Sequence, residues 1–340
     1  MKDIEGVCLL TADIGGTHSR FEIFKYKEQA LTSITSAVYH NHAFHDIDAV
    51  MAAFLQESQA RHIDAACLAV AGPVQQSHYC RLTNLNWELN TEQLSQRWHI
   101  PRVCLLNDIA AIPYGIKYLA KSDLHCLQQG SSVDGDRVVS FLGVGTGLGQ
   151  SLAIYRHGEL TVLSTEAGHA DFAPGSALQQ QLLSFYRQDS QPISNEFFLS
   201  GQGIVHIYQA MGRLGFATER LQWSDERSDL AREISQAAQQ GDPLASQAIN
   251  AFIHILGSYA GNVALQTLPT GGLYLAGGVV PKLLPLMKAE TFLQGFHHKA
   301  AMQELLATIP VYVILNSGVA RLGAADYLLQ QLKPNTTTAY

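Results

Sequence analysis

Apolar residues fall into short runs, and most of these runs stop at glycine. Residues 7–12 form the first. Asp13-Ile14-Gly15-Gly16-Thr17 follows, after which Phe21 and Ile23 alternate with polar positions in the period of two of a half-buried strand. The pattern predicts strand, glycine turn, strand. A third β-like segment covers 33–39, and Ile47, Val50, Met51, Phe54 and Leu55 take the i, i+3, i+4 spacing of an amphipathic helix. Residues 65–71 are an unbroken small apolar run closed by Gly72-Pro73, which suits a parallel strand buried on both faces. A helix over 91–99, a strand over 103–106 and a helix from Asn107-Asp108 toward Leu119 complete the order βββαβαβα.

The second half opens in the same way. Strand 138–142, the turn Gly143-Val144-Gly145-Thr146-Gly147-Leu148-Gly149, strand 151–155 and strand 160–164 precede a mostly helical stretch over 176–268. Strand 273–276, a helix after Gly277-Gly278, strand 311–315 and a last helix from Val319 follow. The expectation is an α/β fold of two related units, the second carrying a helical insertion. Their sheets would face each other across a cleft floored by turns and strand ends, a geometry that suits a nucleotide and a second substrate. At 340 residues, and about 150 residues to a domain, length also predicts two domains.

Composition narrows the classes. Lys and Arg number 22 against 29 Asp and Glu, and the net charge of −7 argues against non-specific binding to a nucleic-acid backbone. Only 15% of residues are charged while 47% are apolar, which predicts a large core and no disorder signature. The most apolar stretch is interrupted by His254, Asn262 and Gln266 before it reaches the about 18 residues of a membrane span. Asp3 and Glu5 stand where a secretory signal would need positive charge, so a soluble cytoplasmic protein is expected. The five cysteines, Cys8, Cys67, Cys80, Cys104 and Cys126, include no C-x-x-C pair, and Cys8, Cys67 and Cys104 read as reduced core residues.

The glycine turns carry the first candidate chemistry. Backbone without side chains approaches a ligand closely and offers N–H groups to phosphate oxygens, although either turn alone also reads as a plain tight hairpin. Two such turns stand at matching places in the two halves, and each adds a hydroxyl, Thr17 and Thr146. No Lys follows a Gly anywhere in the chain, which removes the P-loop. G-x-G-x-x-G read from Gly145 lands on Gln150 and leads into a strand, so the dinucleotide fingerprint fails as well. Asp13 is a candidate partner for Mg²⁺, directly or through water, because that ion takes one or two carboxylates together with phosphates and waters. Ala276-Gly277-Gly278-Val279-Val280-Pro281 follows a strand and opens a helix. It reads either as close packing or as a surface for a nucleoside, with residues 201–203 opposite.

Asn107-Asp108 lies at the carboxyl end of a buried strand, where Asp108 is either a helix N-cap or a general base that aligns and deprotonates an attacking hydroxyl. Glu166 and His169, three apart in a glycine-containing segment, could bond vicinal hydroxyls. Physics alone reads Glu196 as a surface carboxylate. The His40-Asn41-His42 cluster with His45, and the pair His297-His298, read as solvated loops rather than metal ligands.

Asp13-Ile14-Gly15-Gly16-Thr17, Leu106-Asn107-Asp108, Gly145-Thr146-Gly147-Leu148-Gly149, the segment from Glu166 through Gly168-His169 to Pro174, and Ala276-Gly277-Gly278-Val279-Val280-Pro281 occur in this order. Together they resemble the bacterial ATP-dependent glucokinase family from about residue 10 to 325. The resemblance implies a two-domain hexokinase/actin-like, ribonuclease H-like fold and transfer of the ATP γ-phosphate to the 6-hydroxyl of glucose, feeding glycolysis. It implies Asp108 as the base at O6, and Asn107, Glu166, His169 and Glu196 as holders of the other sugar hydroxyls. Ala12, Asp13, Ile14, Gly15, Gly16, Thr17, Gly145, Thr146 and Gly147 would contact ATP phosphates, and Gly277 and Gly278 the nucleoside. It further implies Mg²⁺, a homodimer, a small domain of 1–118 plus 319–340, and a large domain of 119–318. Gln202 and Arg321 depart from the family's usual residues, and the Cys-rich zinc motif of the related repressor-and-kinase sugar family is missing, so no structural zinc is expected. A polar tail over 333–340 is expected to be disordered. A kinase for another hexose, an actin-like nucleotide-hydrolysing scaffold and a sugar-sensing regulator are the alternative readings.

Overall fold

The computed structural model describes residues 5–58, 62–82, 85–131, 133, 135–187, 191–217 and 229–333. Except for Lys333, the polar tail lies outside the described residues. The chain divides into two compact units, 1–120 together with 318–340, and 121–317.

The first unit begins with an antiparallel meander of β1 (Cys8–Ile14), β2 (His18–Lys27) and β3 (Ala30–His40). Helix α1 (Ile47–Ser58) leads to β4 (Ala65–Val70), a small hairpin of β5 (Tyr79–Arg81) and β6 (Glu88–Asn90), helix α2 (Thr91–Trp98), β7 (Val103–Asn107) and helix α3 (Asp108–Gly115). The sheet order is β3-β2-β1-β4-β7, with β4 parallel to both β1 and β7. One face, with Leu10, Ala12, Ile14, Phe21 and Ile23, packs on Val50, Met51 and Phe54 of α1.

The second unit starts with β8 (Leu124–Gln128) and then repeats the meander as β9 (Arg137–Val144), β10 (Leu148–Arg156) and β11 (Glu159–Thr165). The insertion comprises α4 (Ala177–Tyr186), α5 (Asn195–Phe198), α6 (Gly201–Arg213), α7 (Leu230–Gln239) and α8 (Pro243–Thr267). Then come β12 (Leu273–Ala276), α9 (Val280–Leu283), α10 (Ala289–His297), α11 (Gln303–Ala307) and β13 (Val311–Ile314). Its sheet order is β11-β10-β9-β12-β13-β8. Reading inward from β3 and from β11, the first five strands of the two sheets agree in order and in pairing sense. The last helix, α12 (Val319–Leu332), belongs to the first unit.

Three features depart from the sequence expectation. The hairpin β5–β6 and the edge strand β8 carry no apolar run, and in β8 only Leu127 is buried. Periodicity therefore had nothing to report there. The 25-residue helix α8 runs through His254, Asn262 and Gln266 without interruption, and by length and composition it could cross a membrane. Burial identifies it as a core helix instead, since 78% of its most apolar window is buried inside the second unit. All five cysteines are free, with Cys67 and Cys80 buried and Cys8 and Cys104 half-buried.

Helices α12 and α3 meet backbone to backbone. A Cβ on Gly323 would stand 1.8 Å from the Ala111 carbonyl oxygen, and one on Gly115 would stand 2.2 Å from that of Val319. Neither overlap can be relieved by a rotamer change, because the obstacle is main chain. Gly323→Ala should therefore lower unfolding stability by about 1–3 kcal/mol, the usual cost of overpacking, despite the better helix propensity of alanine. Urea unfolding of the two proteins checks this, and an equally stable variant would show that the helices can separate at no cost.

Candidate active site

In the first unit, the β1–β2 register closes at Ile14 and Ser19, and the Gly15 N–H donates to the His18 carbonyl at 3.0 Å. Gly16 and Thr17 thus form the tip of a tight hairpin, with the Thr17 side chain exposed. The side chains of Ala12 and Ile14 are fully buried in the core, so only their backbone could serve a ligand. Asp13 points to the opposite face, where its Oδ2 lies 3.5 Å from Arg20 Nη1 and its side chain is 21% exposed. Burial pushes the Asp13 carboxyl above the usual carboxylate range, while Arg20 and Arg321 pull it back.

Asn41 holds this turn from beneath. Its Oδ1 accepts from Ser19 Oγ at 2.6 Å, its Nδ2 donates to the Gly15 carbonyl at 2.7 Å, and its backbone N–H donates to the Thr17 carbonyl at 2.9 Å. The loop His40-Asn41-His42 is therefore not solvated throughout, because Asn41 is 1% exposed while both flanking histidines face solvent. The sequence signal was a small amide directly after a strand that pairs with the hairpin, and the surrounding histidines masked it. His45 is exposed and lies 3.1 Å from Asp46.

At the end of β7, the N-cap of α3 is Asn107, not Asp108. The Asn107 Oδ1 accepts from the Ala110 N–H at 3.3 Å, and its Nδ2 donates to the Gly72 carbonyl at 3.1 Å. With the cap supplied by its neighbour, Asp108 occupies the first helical position, half-buried, and its Oδ1 accepts from the adjacent Ile109 N–H at 2.8 Å. The positive end of a helix favours a carboxylate there.

In the second unit, the Gly145 N–H donates to the Gly147 carbonyl at 2.9 Å, which folds the β9–β10 connection into a tight turn with Thr146 exposed. Three segments crowd this turn. The Val279 N–H donates to the Val144 carbonyl at 3.1 Å, and the Gly201 N–H donates to the Gly145 carbonyl at 2.8 Å. Gly277, at φ +92°, comes so close that a Cβ would lie 2.3 Å from Val144 O, which makes its glycine a packing requirement. Gly278 and Gly145 instead border open space. The third segment brings Glu196, whose Oε2 accepts from the Leu148 N–H at 2.8 Å, and a Cβ on Gly147 would meet that oxygen at 2.5 Å.

Glu166, His169 and Glu196 come together beside this turn. His169 Nε2 is 4.0 Å from Glu166 Oε2, and His169 Nδ1 is 3.9 Å from Glu196 Oε1. Gly168 permits it, since a Cβ there would stand 2.0 Å from the Leu148 carbonyl. Asn195 ties the two segments together by donating both its backbone N–H and Nδ2 to the Ala170 carbonyl at 2.9 Å. Glu196 is thus anchored, contrary to its reading as a surface carboxylate, while Glu166 and His169 keep 67% and 62% of their side chains exposed. Gln202 is exposed in the first turn of α6, 3.4 Å from His206 Nε2. His297 also departs from the expected solvated loop. It ends α10 half-buried, 2.7 Å from Gln128 Oε1, and burial lowers its pKa.

Two copies of one α/β unit, each with a glycine-turn hairpin, make up the two-domain hexokinase/actin-like fold. A family model described as Glucokinase matches residues 10–331. The chain is 40% identical to the glucokinase of Nostoc punctiforme, covering 93% of this chain and 97% of the relative. It is 40% identical to that of Synechocystis, covering 94% and 97%. The crystal structure of a glucokinase from an Antarctic psychrotroph superposes with a TM-score of 0.79 at 28% identity, covering 95% of this chain and 99% of that one. A ROK family glucokinase from Streptomyces griseus, solved with glucose and AMPPNP, shares the fold at a TM-score of 0.66 and 21% identity, covering 95% and 99%. The chain belongs to the glucokinase family.

Replacing Asn41 by Ala would leave the Ser19 hydroxyl and the Gly15 carbonyl without their partner. Each buried polar group so orphaned costs about 1–3 kcal/mol. Asn41→Ala should show a loss of that order in urea unfolding, and unchanged stability would mean that the turn holds without its clamp.

Proposed function

We propose that this protein transfers the γ-phosphate of ATP to the 6-hydroxyl of glucose, giving glucose 6-phosphate and ADP. Beyond family membership, one observation supports the reading most: Glu166, His169 and Glu196 converge beside the Gly145–Gly147 turn. Polar side chains that can accept and donate hydrogen bonds suit sugar hydroxyls, and glycine backbone open to solvent suits phosphate oxygens. In this reading Glu166, His169, Glu196 and Asn107 hold hydroxyls of the sugar. The turns at Gly15-Gly16-Thr17 and Gly145-Thr146-Gly147 take the phosphates, and Gly278 borders the nucleoside.

Asp108 accepts the proton of the 6-hydroxyl as the new oxygen–phosphorus bond forms and the bond from the γ-phosphorus to the β–γ bridging oxygen breaks. Phosphoryl transfer has a loose transition state, so the carboxylate acts as much by aligning the hydroxyl as by taking its proton. Asn107, not Asp108, caps α3.

Mg²⁺ is part of the proposal. Asp13 offers a partly exposed carboxylate whose ion-pair partner is 3.5 Å away, and no group of three or more His, Cys, Asp or Glu among the described residues could hold an ion unaided. That set fits an ion that Asp13 would hold, directly or through water, together with phosphates and waters. When bound, the ion would neutralise charge on the β- and γ-phosphates. A homodimer, a cytoplasmic location and supply of glycolysis belong to the same reading and rest on the family resemblance.

A coupled assay on the purified protein tests the reaction: ADP should form with ATP, Mg²⁺ and glucose, and not when the sugar is omitted. ADP release independent of sugar would overturn it in favour of a nucleotide-hydrolysing scaffold, and a preference for fructose or mannose would reassign the acceptor. Asp108→Ala should lower kcat by at least about a hundredfold, the scale of general-base catalysis. Near-normal turnover in that variant would remove Asp108 from its role.

A further inference from the structure

The register of β1 and β2 sets Asp13 opposite Arg20, Thr11 opposite Glu22 and Leu9 opposite Phe24, so these six residues share one face of the first sheet. Helix α12 covers that face in two parts. Leu328 and Leu329, late in the helix, pack on Leu9 and Phe24. Arg321, in its first turn, meets the polar part, where its Nε donates to Glu22 Oε2 at 2.8 Å. The two partners are 299 positions apart in sequence.

This pair is unlike the surface ion pairs of the chain, because its side chains are only 14% and 12% exposed. Burying two charges is costly, and well-packed apolar residues would hold a helix on a sheet as well or better. Attachment of α12 is therefore an insufficient reason for the pair. A second feature gives direction. The register sets the Glu22–Arg321 pair beside the Asp13–Arg20 pair on this face, so opposite charges cluster along it. Glu22 does not exhaust the guanidinium either, for Nη1 of Arg321 is buried without a hydrogen-bond partner.

We propose that Arg321, anchored by Glu22, is a positioning residue for Asp13, fixing that carboxylate at the foot of the Gly15–Thr17 turn for Mg²⁺-bound ATP. The inference rests on the reading of Asp13 given above. It makes the nucleotide side of the first unit depend on a helix from the far end of the chain. Glu22 sets the direction of the guanidinium, and the guanidinium sets the carboxylate.

Steady-state rates of Arg321→Met, Arg321→Lys, Glu22→Gln and Asp13→Asn, with ATP and glucose varied in turn at fixed Mg²⁺, test this alongside thermal unfolding. Loss of a residue that orients a metal-binding carboxylate typically costs about 10–100-fold, so Arg321→Met should raise the KM for Mg²⁺-bound ATP by that order and leave the KM for glucose unchanged. Arg321→Lys, which keeps the charge without the planar fork, should recover part of the loss, and Glu22→Gln should shift the same KM in the same direction. A lower melting temperature with both KM values unchanged would assign the pair a purely structural role and overturn the inference. If Arg321→Met does not fold, Arg321→Lys and Glu22→Gln decide, and an unchanged KM for ATP in both is fatal. Asp13→Asn separates the two levels. If it raises the KM for ATP while the Arg321 and Glu22 variants do not, Asp13 keeps its role and the positioning is wrong. If it has no effect, the reading of Asp13 fails and the inference fails with it.

Discussion

Main chain brought against main chain is the constraint on which the candidate site depends. The turn at 145–147 is enclosed because Gly277 lets its segment reach the Val144 carbonyl and Gly168 lets another reach that of Leu148. Gly147 then leaves just enough room for the Glu196 carboxylate. A methyl group at any of these three positions would overlap an oxygen at 2.0–2.5 Å. Interiors packed to crystal density have no slack to absorb such overlaps. The glycines that border open space and the glycines that close the packing are thus different residues. Gly145 and Gly278 border open space, whereas Gly147, Gly168 and Gly277 are committed to packing.

Around these contacts, small polar side chains fix the segments that carry the candidate residues by taking on the routine bonds. Asn107 caps α3, so that Asp108 need not. Asn195 binds the Ala170 carbonyl and fixes the start of α5, from which Glu196 reaches the turn. Asn41 does the corresponding work under the hairpin of the first unit. Each is an amide with donor and acceptor on one short stem, and such a residue can satisfy two backbone or hydroxyl groups at once without introducing charge.

The legible part of the site was the part carried by contiguous motifs. Both glycine turns, the Asn107-Asp108 corner and the Glu166–His169 spacing could be read because a few adjacent residues specify them. Glu196 entered only through the family resemblance, since its neighbours form an unremarkable polar stretch and its anchor is Leu148, 48 positions earlier. Asn41 was hidden among histidines for the same reason. Arg321 stood out only as an unexpected residue in the last helix. Its partner Glu22 was indistinguishable from any other polar position of an alternating strand. The strands that escaped notice, β5, β6 and β8, are short or bury almost nothing, so they leave no periodic trace.

The sequence by itself determined the order of elements and the repetition of one α/β unit, because burial of alternating and helical faces imprints local periods on the chain. It also determined which turns lack side chains. Tertiary structure alone decided which of those glycines pack and which stay open, which amide caps which helix, and which charge meets which. Those outcomes depend on distances between segments far apart in sequence, and no local pattern encodes them.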